Sequence, residues 1–93
     1  MKWKFKDSII KKAVNDTTVL YNADSGAYYG VRGALKHYFM ENDEFEEADI
    51  IDYLVQNFGI DYAMASEDSA ELLSDFVKSE VIEVAKDSDY RSS

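Results

Sequence analysis

The side chains that most often perform catalysis are scarce in this sequence and are not spaced as catalytic groups. His37 is the only histidine, and its position beside the apolar stripe of a predicted helix favours a partly exposed surface residue over a catalytic base. A serine nucleophile needs such a base next to it, so Ser25 is better explained as a turn residue and Ser66 as a helix cap. We predict no catalytic residues and no enzyme activity.

The residues that bind metals and cofactors are also missing from their usual patterns. The 93 residues include no cysteine, which excludes disulfides, thiolate zinc sites and iron–sulfur clusters and favours a reducing compartment. The acidic segment 43–54 has no glycine at the sixth position of a calcium loop, and the four glycines fit no phosphate-binding loop. We therefore predict that the chain holds no metal and no cofactor.

The charge balance narrows the range of partners. Lysine and arginine total 10 against 19 aspartates and glutamates, so the net charge is −9 and we expect no nucleic acid partner. The first twelve residues are basic, whereas the run 41–52 is acidic and typical of a solvated surface, with a docking patch for a basic partner as the alternative. Apolar runs are too short for a signal peptide or a membrane span, so we expect a cytoplasmic protein without membrane contact.

The first third of the chain predicts three strands. Two β-rich runs, 9–14 and 17–21, are separated by Asn15 and Asp16, which suit the two-residue loop of a hairpin. Gly26 then suits the left-handed position of a tight turn, and residues 27–31 form the third strand. The lysine–aromatic alternation of residues 1–8 indicates either a basic arm or an edge strand.

The rest of the chain predicts three helices. Apolar residues at helical spacing place the first helix at 32–41. The second helix follows Asp43, with Glu46 in a capping box, and ends at Gly59. The third helix runs from Ser66 to about Glu80. A short strand at 81–84 and a disordered tail at 85–93 follow. The predicted fold class is α+β, in one domain spanning 1–93 with its core at about 9–84.

One segment resembles a known signature. An apolar strand, an acidic residue and serine before glycine, two aromatics and then an amphipathic helix are typical of the PqqD family, also called the RiPP recognition element, and the similarity covers residues 14–84. Arg32, Leu35 and Tyr38 stand where the family usually has Asn, Gly and Ile. The matching residues are Leu20, Asp24, Ser25, Gly26, Tyr28, Tyr29, Val31 and Phe39.

The resemblance implies a winged-helix-like domain with a three-stranded antiparallel sheet and three helices. In that family, a leader peptide of a ribosomally made natural product adds as a strand beside the third strand and lies against the third helix. An unpaired strand edge is a suitable template for such addition. The residues expected to bind the peptide are Ala27, Tyr28, Tyr29, Gly30, Val31, Leu72, Asp75, Phe76 and Ser79. Burial in the core is the alternative for Leu72 and Phe76, and a solvated helix face for Asp75 and Ser79.

The resemblance also implies a second partner, a modifying enzyme such as a radical SAM enzyme, a leader peptidase or a cyclase. The acidic second helix and the basic N-terminus are candidate surfaces for it, by charge complementarity. Alternatives remain: a module that binds another protein or its own copy through the same edge, and, less well supported, a carrier protein modified at Ser25 or Ser69. The precursor, the enzyme and the oligomeric state are open.

Overall fold

The computed structural model describes residues 1–85, so the predicted disordered tail at 85–93 lies outside the described residues except for Ala85. The predicted order of three strands and three helices is confirmed in β2 to β4 and α1 to α3, and three short strands add to it. The strands are β1 (Lys2–Phe5), β2 (Ile9–Val14), β3 (Thr17–Asn22), β4 (Tyr28–Arg32), β5 (Glu44–Glu46) and β6 (Ile82–Val84). The helices are α1 (Lys36–Glu41), α2 (Glu47–Phe58) and α3 (Tyr62–Lys78), and a 3₁₀ turn (Gly33–Leu35) links β4 to α1.

The larger sheet is the antiparallel meander β2-β3-β4. Asn15 has a φ of 56° in the loop of the predicted hairpin, and Gly26 has a φ of 80° in the turn before β4. The buried side chain of Asn22 organises this second turn, since its Oδ1 accepts a hydrogen bond from the Asp24 N–H at 2.9 Å. Its Nδ2 donates to the carbonyl oxygen of Glu80 at 2.9 Å, which ties the turn to the segment after α3.

The N-terminal strand β1 lies in the middle of a second antiparallel sheet of order β5-β1-β6. Trp3 faces Phe45 of β5 on one side and Val84 of β6 on the other. The segment is therefore neither a free arm nor an edge strand, which corrects the sequence prediction. The lysine–aromatic alternation places the two residue types on opposite faces of β1, since Phe5 is buried while Lys4 stays near the surface. The Nζ of Lys4 lies 3.7 Å from Oε2 of Glu83.

The first two helices differ from the prediction at their starts. The 3₁₀ turn occupies the first residues assigned to α1, so the α-helix begins only at Lys36. Glu46, not Asp43, caps α2, because the residues just before it are extended and form β5. The Oδ2 of Asp49 accepts a hydrogen bond from the Glu46 N–H at 2.9 Å, as in a capping box shifted by three residues.

The third helix is longer than predicted. Asp61 caps it, with its Oδ2 accepting a hydrogen bond from the Ala63 N–H at 3.1 Å, so Ser66 lies inside the helix. The helix ends at Lys78, where the Ser79 N–H donates to the carbonyl oxygen of Asp75 at 2.9 Å. The early start lengthens α3 to 17 residues.

Four phenylalanines hold the smaller sheet, α1 and α3 together. The ring centroid of Phe39 lies 5.0 Å from those of Phe45 and Phe76 and 6.0 Å from that of Phe5, all in edge-to-face arrangements. These rings come from four different elements and are buried. Because Phe76 belongs to α3 and its ring centroid also lies 5.3 Å from that of Tyr29 in β4, the cluster fixes the position of this helix relative to β4.

Candidate functional site

The outer edge of β4 is unpaired. In the larger sheet β4 pairs with β3 on one side, and no described strand pairs with its other side. Helix α3 runs past this edge and leaves an open groove of about 250 Å³ between them. We call it the β4–α3 groove, and its lining residues are Tyr29, Gly30, Val31, Arg32, Leu35, Asp68, Glu71, Leu72 and Asp75.

The groove brings together five of the nine residues predicted to bind a peptide. Three are in the strand and two in the helix, and the inward-facing strand residues are half-buried Tyr29 and buried Val31. Leu72 is half-buried and gives the helix side an apolar surface. The five residues are Tyr29, Gly30, Val31, Leu72 and Asp75.

The other four predicted residues lie elsewhere. Ala27 precedes β4, Ser79 follows α3, and Tyr28 is exposed on the opposite face of the sheet. Phe76 is fully buried and supports the groove from below, with its ring edge-on to that of Tyr29 at 5.3 Å between centroids. It does not line the groove, because its ring packs against those of Phe5 and Phe39 in the core.

Four lining residues were not predicted as site residues. Asp68, Glu71, Leu72 and Asp75 follow the spacing i, i+3, i+4 and i+7, so they share one face of α3. That spacing was a usable signal, but charged positions on a helix usually face solvent, and only Leu72 and Asp75 of this set were predicted as site residues. Arg32 and Leu35 were noted only as departures from the family pattern. The four lining residues that the sequence did not predict are Arg32, Leu35, Asp68 and Glu71.

A hydrogen bond spans the groove. The hydroxyl of Tyr29 in β4 donates to Oδ2 of Asp75 in α3 at 3.2 Å. Burial, and then the nearby negative charges of Asp75 and Glu71, raise the pKa of Tyr29 above its ordinary value. The phenol is therefore protonated at neutral pH and acts as the donor, which links the strand wall to the helix wall.

The outer face of the larger sheet carries a row of exposed apolar side chains. Ile10 of β2 stands opposite Tyr21 of β3, which stands opposite Tyr28 of β4, and all three are exposed. Because side chains alternate along a strand, Lys12 and Arg32 lie on the same face. We call this row with its two cations the outer face, and it shares β4 with the groove.

Within residues 1–85, no cluster of three His, Asp or Glu side chains is arranged to hold a metal ion. His37 is exposed on α1. Across the same residues, no helix is long and apolar enough to cross a membrane. The groove itself offers a strand edge, an apolar floor and charged walls, which together can hold an extended peptide.

Two solved structures are similar to this chain. One is TbiB1 in complex with the TbiA(beta) leader peptide, with a TM-score of 0.72, 19% sequence identity, and coverage of 95% of this chain and 98% of that chain. The other is lasso peptide synthetase B1 complexed with the leader peptide, with a TM-score of 0.70, 15% identity, and coverage of 87% and 96%. The fold that the sequence resemblance implied is thereby confirmed.

Comparison by sequence finds no relatives, in contrast to comparison by structure. No protein-family model matches the chain, and no curated protein matches it either. The similarity is therefore one of fold, carried by the arrangement of strands and helices rather than by shared residues.

Proposed function

We propose that this protein binds the leader segment of a ribosomally made precursor peptide as an added strand along β4. The observation that carries the proposal is the unpaired edge of β4 facing α3 across the groove. Both similar solved structures contain a leader peptide, which supports the same class of ligand here. The chain acts by binding and positioning and performs no chemistry on the peptide.

The strand edge supplies affinity that is independent of peptide sequence. β4 has five residues, and at about 3.3 Å per residue it offers roughly 17 Å of backbone N–H and C=O groups. An added strand satisfies these groups and places every second side chain over the groove. Recognition of one leader over another therefore depends on the side chains that line the groove.

Delivery to an enzyme is the second half of the proposed function. A bound precursor held beside an enzyme experiences a high effective concentration, in the millimolar range for short tethers. The outer face offers a docking surface, because it exposes Ile10, Tyr21 and Tyr28 next to the proposed peptide strand. We propose a peptide-modifying enzyme as the partner: a radical SAM enzyme, a leader peptidase or a cyclase.

Calorimetric titration tests leader binding. The ligand is the leader segment of a precursor peptide encoded beside this gene, and a scrambled leader is the control. We expect saturable binding at micromolar Kd or tighter, with at least tenfold weaker binding of the scrambled peptide. Leu72→Ala, in the groove, weakens binding, whereas Val77→Ala, exposed on the same helix outside the groove, leaves it unchanged.

Equal binding of the two peptides, or no binding at all, contradicts the proposal. The second candidate function, pairing of the same edge with a different protein or a second copy, then takes its place. Analytical ultracentrifugation of the free chain distinguishes pairing with a second copy from pairing with a different protein. A dimer formed through β4 appears at high concentration and dissociates on dilution.

A further inference from the structure

The helix wall of the β4–α3 groove is negatively charged. Asp68, Glu71 and Asp75 all line the groove, separated by three and four residues along α3. At 1.5 Å of rise per residue they span about 10 Å of the helix. Within residues 1–85 none of these carboxylates makes a salt bridge, although acidic residues elsewhere do, such as Asp43 with Lys11 at 2.6 Å. The helix wall therefore carries negative charge that no cationic side chain among the described residues pairs with.

The rest of the lining includes three aliphatic side chains and a single cation. Val31, Leu35 and Leu72 contribute aliphatic surface, and Arg32 at the end of β4 is the one basic lining residue, with its side chain on the outer face. Arg32 makes no salt bridge with the described residues, so it does not neutralise the opposite wall. A floor of aliphatic groups beneath a row of carboxylates complements a side chain with a long apolar stem and a cationic end.

The spacing of an added strand matches the spacing of the carboxylates. Side chains on one face of a strand repeat about every 6.7 Å, so two consecutive inward-facing side chains fit within the 10 Å wall. We infer that the groove selects peptides with two basic residues two positions apart, whose stems lie on Leu35 and Leu72 and whose charges meet Asp68, Glu71 and Asp75. This inference rests on the proposed function, which supplies the extended peptide.

The Tyr29 hydroxyl holds the far end of this charged wall in place. Its hydrogen bond to Oδ2 of Asp75 occupies part of that carboxylate, which has further lone pairs for a peptide cation. Burial raises the pKa of Tyr29 most, and the negative charges of Asp75 and Glu71 raise it further. The same field repels acidic peptides, so the wall discriminates against wrong ligands as well as attracting the right ones.

A displayed library of random twelve-residue peptides tests the inference without knowledge of the natural ligand. Three forms of the full chain are used: wild type, a groove variant (D68N/E71Q/D75N) and a control variant (E41Q/D52N/E67Q). The control removes the same charge from exposed positions outside the groove. D75N keeps a side-chain oxygen that accepts the Tyr29 hydrogen bond. Thermal melts confirm that all three forms are folded.

We expect wild type and control to enrich Lys or Arg at positions i and i+2, and the groove variant to lose this enrichment. A selected peptide binds the groove variant about tenfold more weakly than wild type at 0.15 M salt, and the difference closes at about 1 M salt. Peptides that bind wild type but not Leu72→Ala are taken as groove ligands.

Three results overturn the inference, and they differ in what they say of the proposed function. Groove ligands without basic enrichment leave the proposed function intact and remove only the charge selection. Equal weakening of groove and control variants means that net charge, rather than this wall, attracts the peptide. Absence of any groove ligand, together with absence of binding by the neighbouring leader, contradicts the proposed function itself.

Discussion

At the scale of single residues, Leu72 and Phe76 show how one turn of a helix separates a residue of the proposed binding groove from a core residue. Leu72 is half-buried at the groove, whereas Phe76 is fully buried among Phe5, Phe39 and Tyr29. Sequence spacing alone places both on one stripe, and only the packing of α3 against the phenylalanine cluster divides them. Their substitution should therefore affect different properties.

We predict that Phe76→Ala lowers the free energy of unfolding by about 3–5 kcal/mol, because it leaves a cavity among three aromatic rings. Leu72→Ala costs less than about 2 kcal/mol and instead weakens peptide binding. Urea denaturation and titration with the leader measure the two effects. If Phe76→Ala is too unstable to study, Phe76→Leu gives the same ordering with a smaller cost. Equal losses of stability for Leu72→Ala and Phe76→Ala would contradict this division.

The half-buried phenol of Tyr38 should make the stability of the fold depend on pH in the alkaline range. Burial, and then the negative charge of Asp49, raises the pKa of Tyr38 to about 12 from its ordinary 10.0. The folded state therefore holds this proton more tightly than the unfolded chain does. The resulting stability is complete below pH 10 and is lost as the pH rises through 12.

We expect Tyr38→Phe to reduce the fall in Tm between about pH 9 and pH 12 relative to wild type. Tyr62→Phe is the control, because the Tyr62 side chain is exposed. Thermal melts across this pH range measure the effect. A Tyr38→Phe profile that follows the wild-type profile would show that this phenol does not couple folding to pH.

At the scale of elements, β1 joins parts of the chain that are distant in sequence. It pairs with β5 and β6 at once and delivers Phe5 to the core. We predict that deleting residues 2–7 lowers Tm by at least about 15 °C, since it removes a buried aromatic and leaves both neighbouring strands unpaired. Circular dichroism melts measure this.

The matched control for the truncation is the substitution of Lys2 and Lys6 by Gln, which removes charge but keeps the strand. We expect its Tm to stay within a few degrees of wild type, because neither lysine makes a salt bridge with the described residues and charges near the surface contribute little to stability. If the truncated chain has the same Tm as the control, β1 does not contribute to stability and the prediction is wrong.

The sequence predicted the elements with strong local signals and missed those that depend on distant pairing. Asn15 and Gly26 place the turns of the meander because their conformations with positive φ are local properties. The three residues of β5 carry no such signal, and they form a strand only because β1 lies beside them. Asp61 and Ser66 are both acceptable helix caps, so the start of α3 was decided by tertiary contacts.

At the scale of the whole molecule, the candidate site was only partly predictable. The strand side followed from the chain order, because a third strand that is followed directly by helices leaves an unpaired edge. The helix side required knowing which face of α3 meets that edge, and this is fixed by buried Ala65, Ser69, Leu73 and Phe76 on the neighbouring face. The charged wall of the groove therefore emerged only from the assembled fold.

The assembled fold also explains how an acidic protein can present two different surfaces. The groove combines a strand edge with carboxylates, while the outer face combines exposed apolar side chains with Lys12 and Arg32. Both surfaces include β4, on its edge and on its outer side respectively. A peptide added to β4 would therefore extend the outer face by one strand and bring its own side chains next to Tyr28.

Amide hydrogen exchange with and without saturating leader peptide tests the central claim, strand addition at β4, most directly. The account predicts slowed exchange for backbone amides of β4 (Tyr28–Arg32) that point into the groove. It predicts no change in β2 (Ile9–Val14), which pairs on only one side in the same sheet and serves as an internal control. Protection confined to β2, or unchanged exchange in β4 at saturation, would contradict the account.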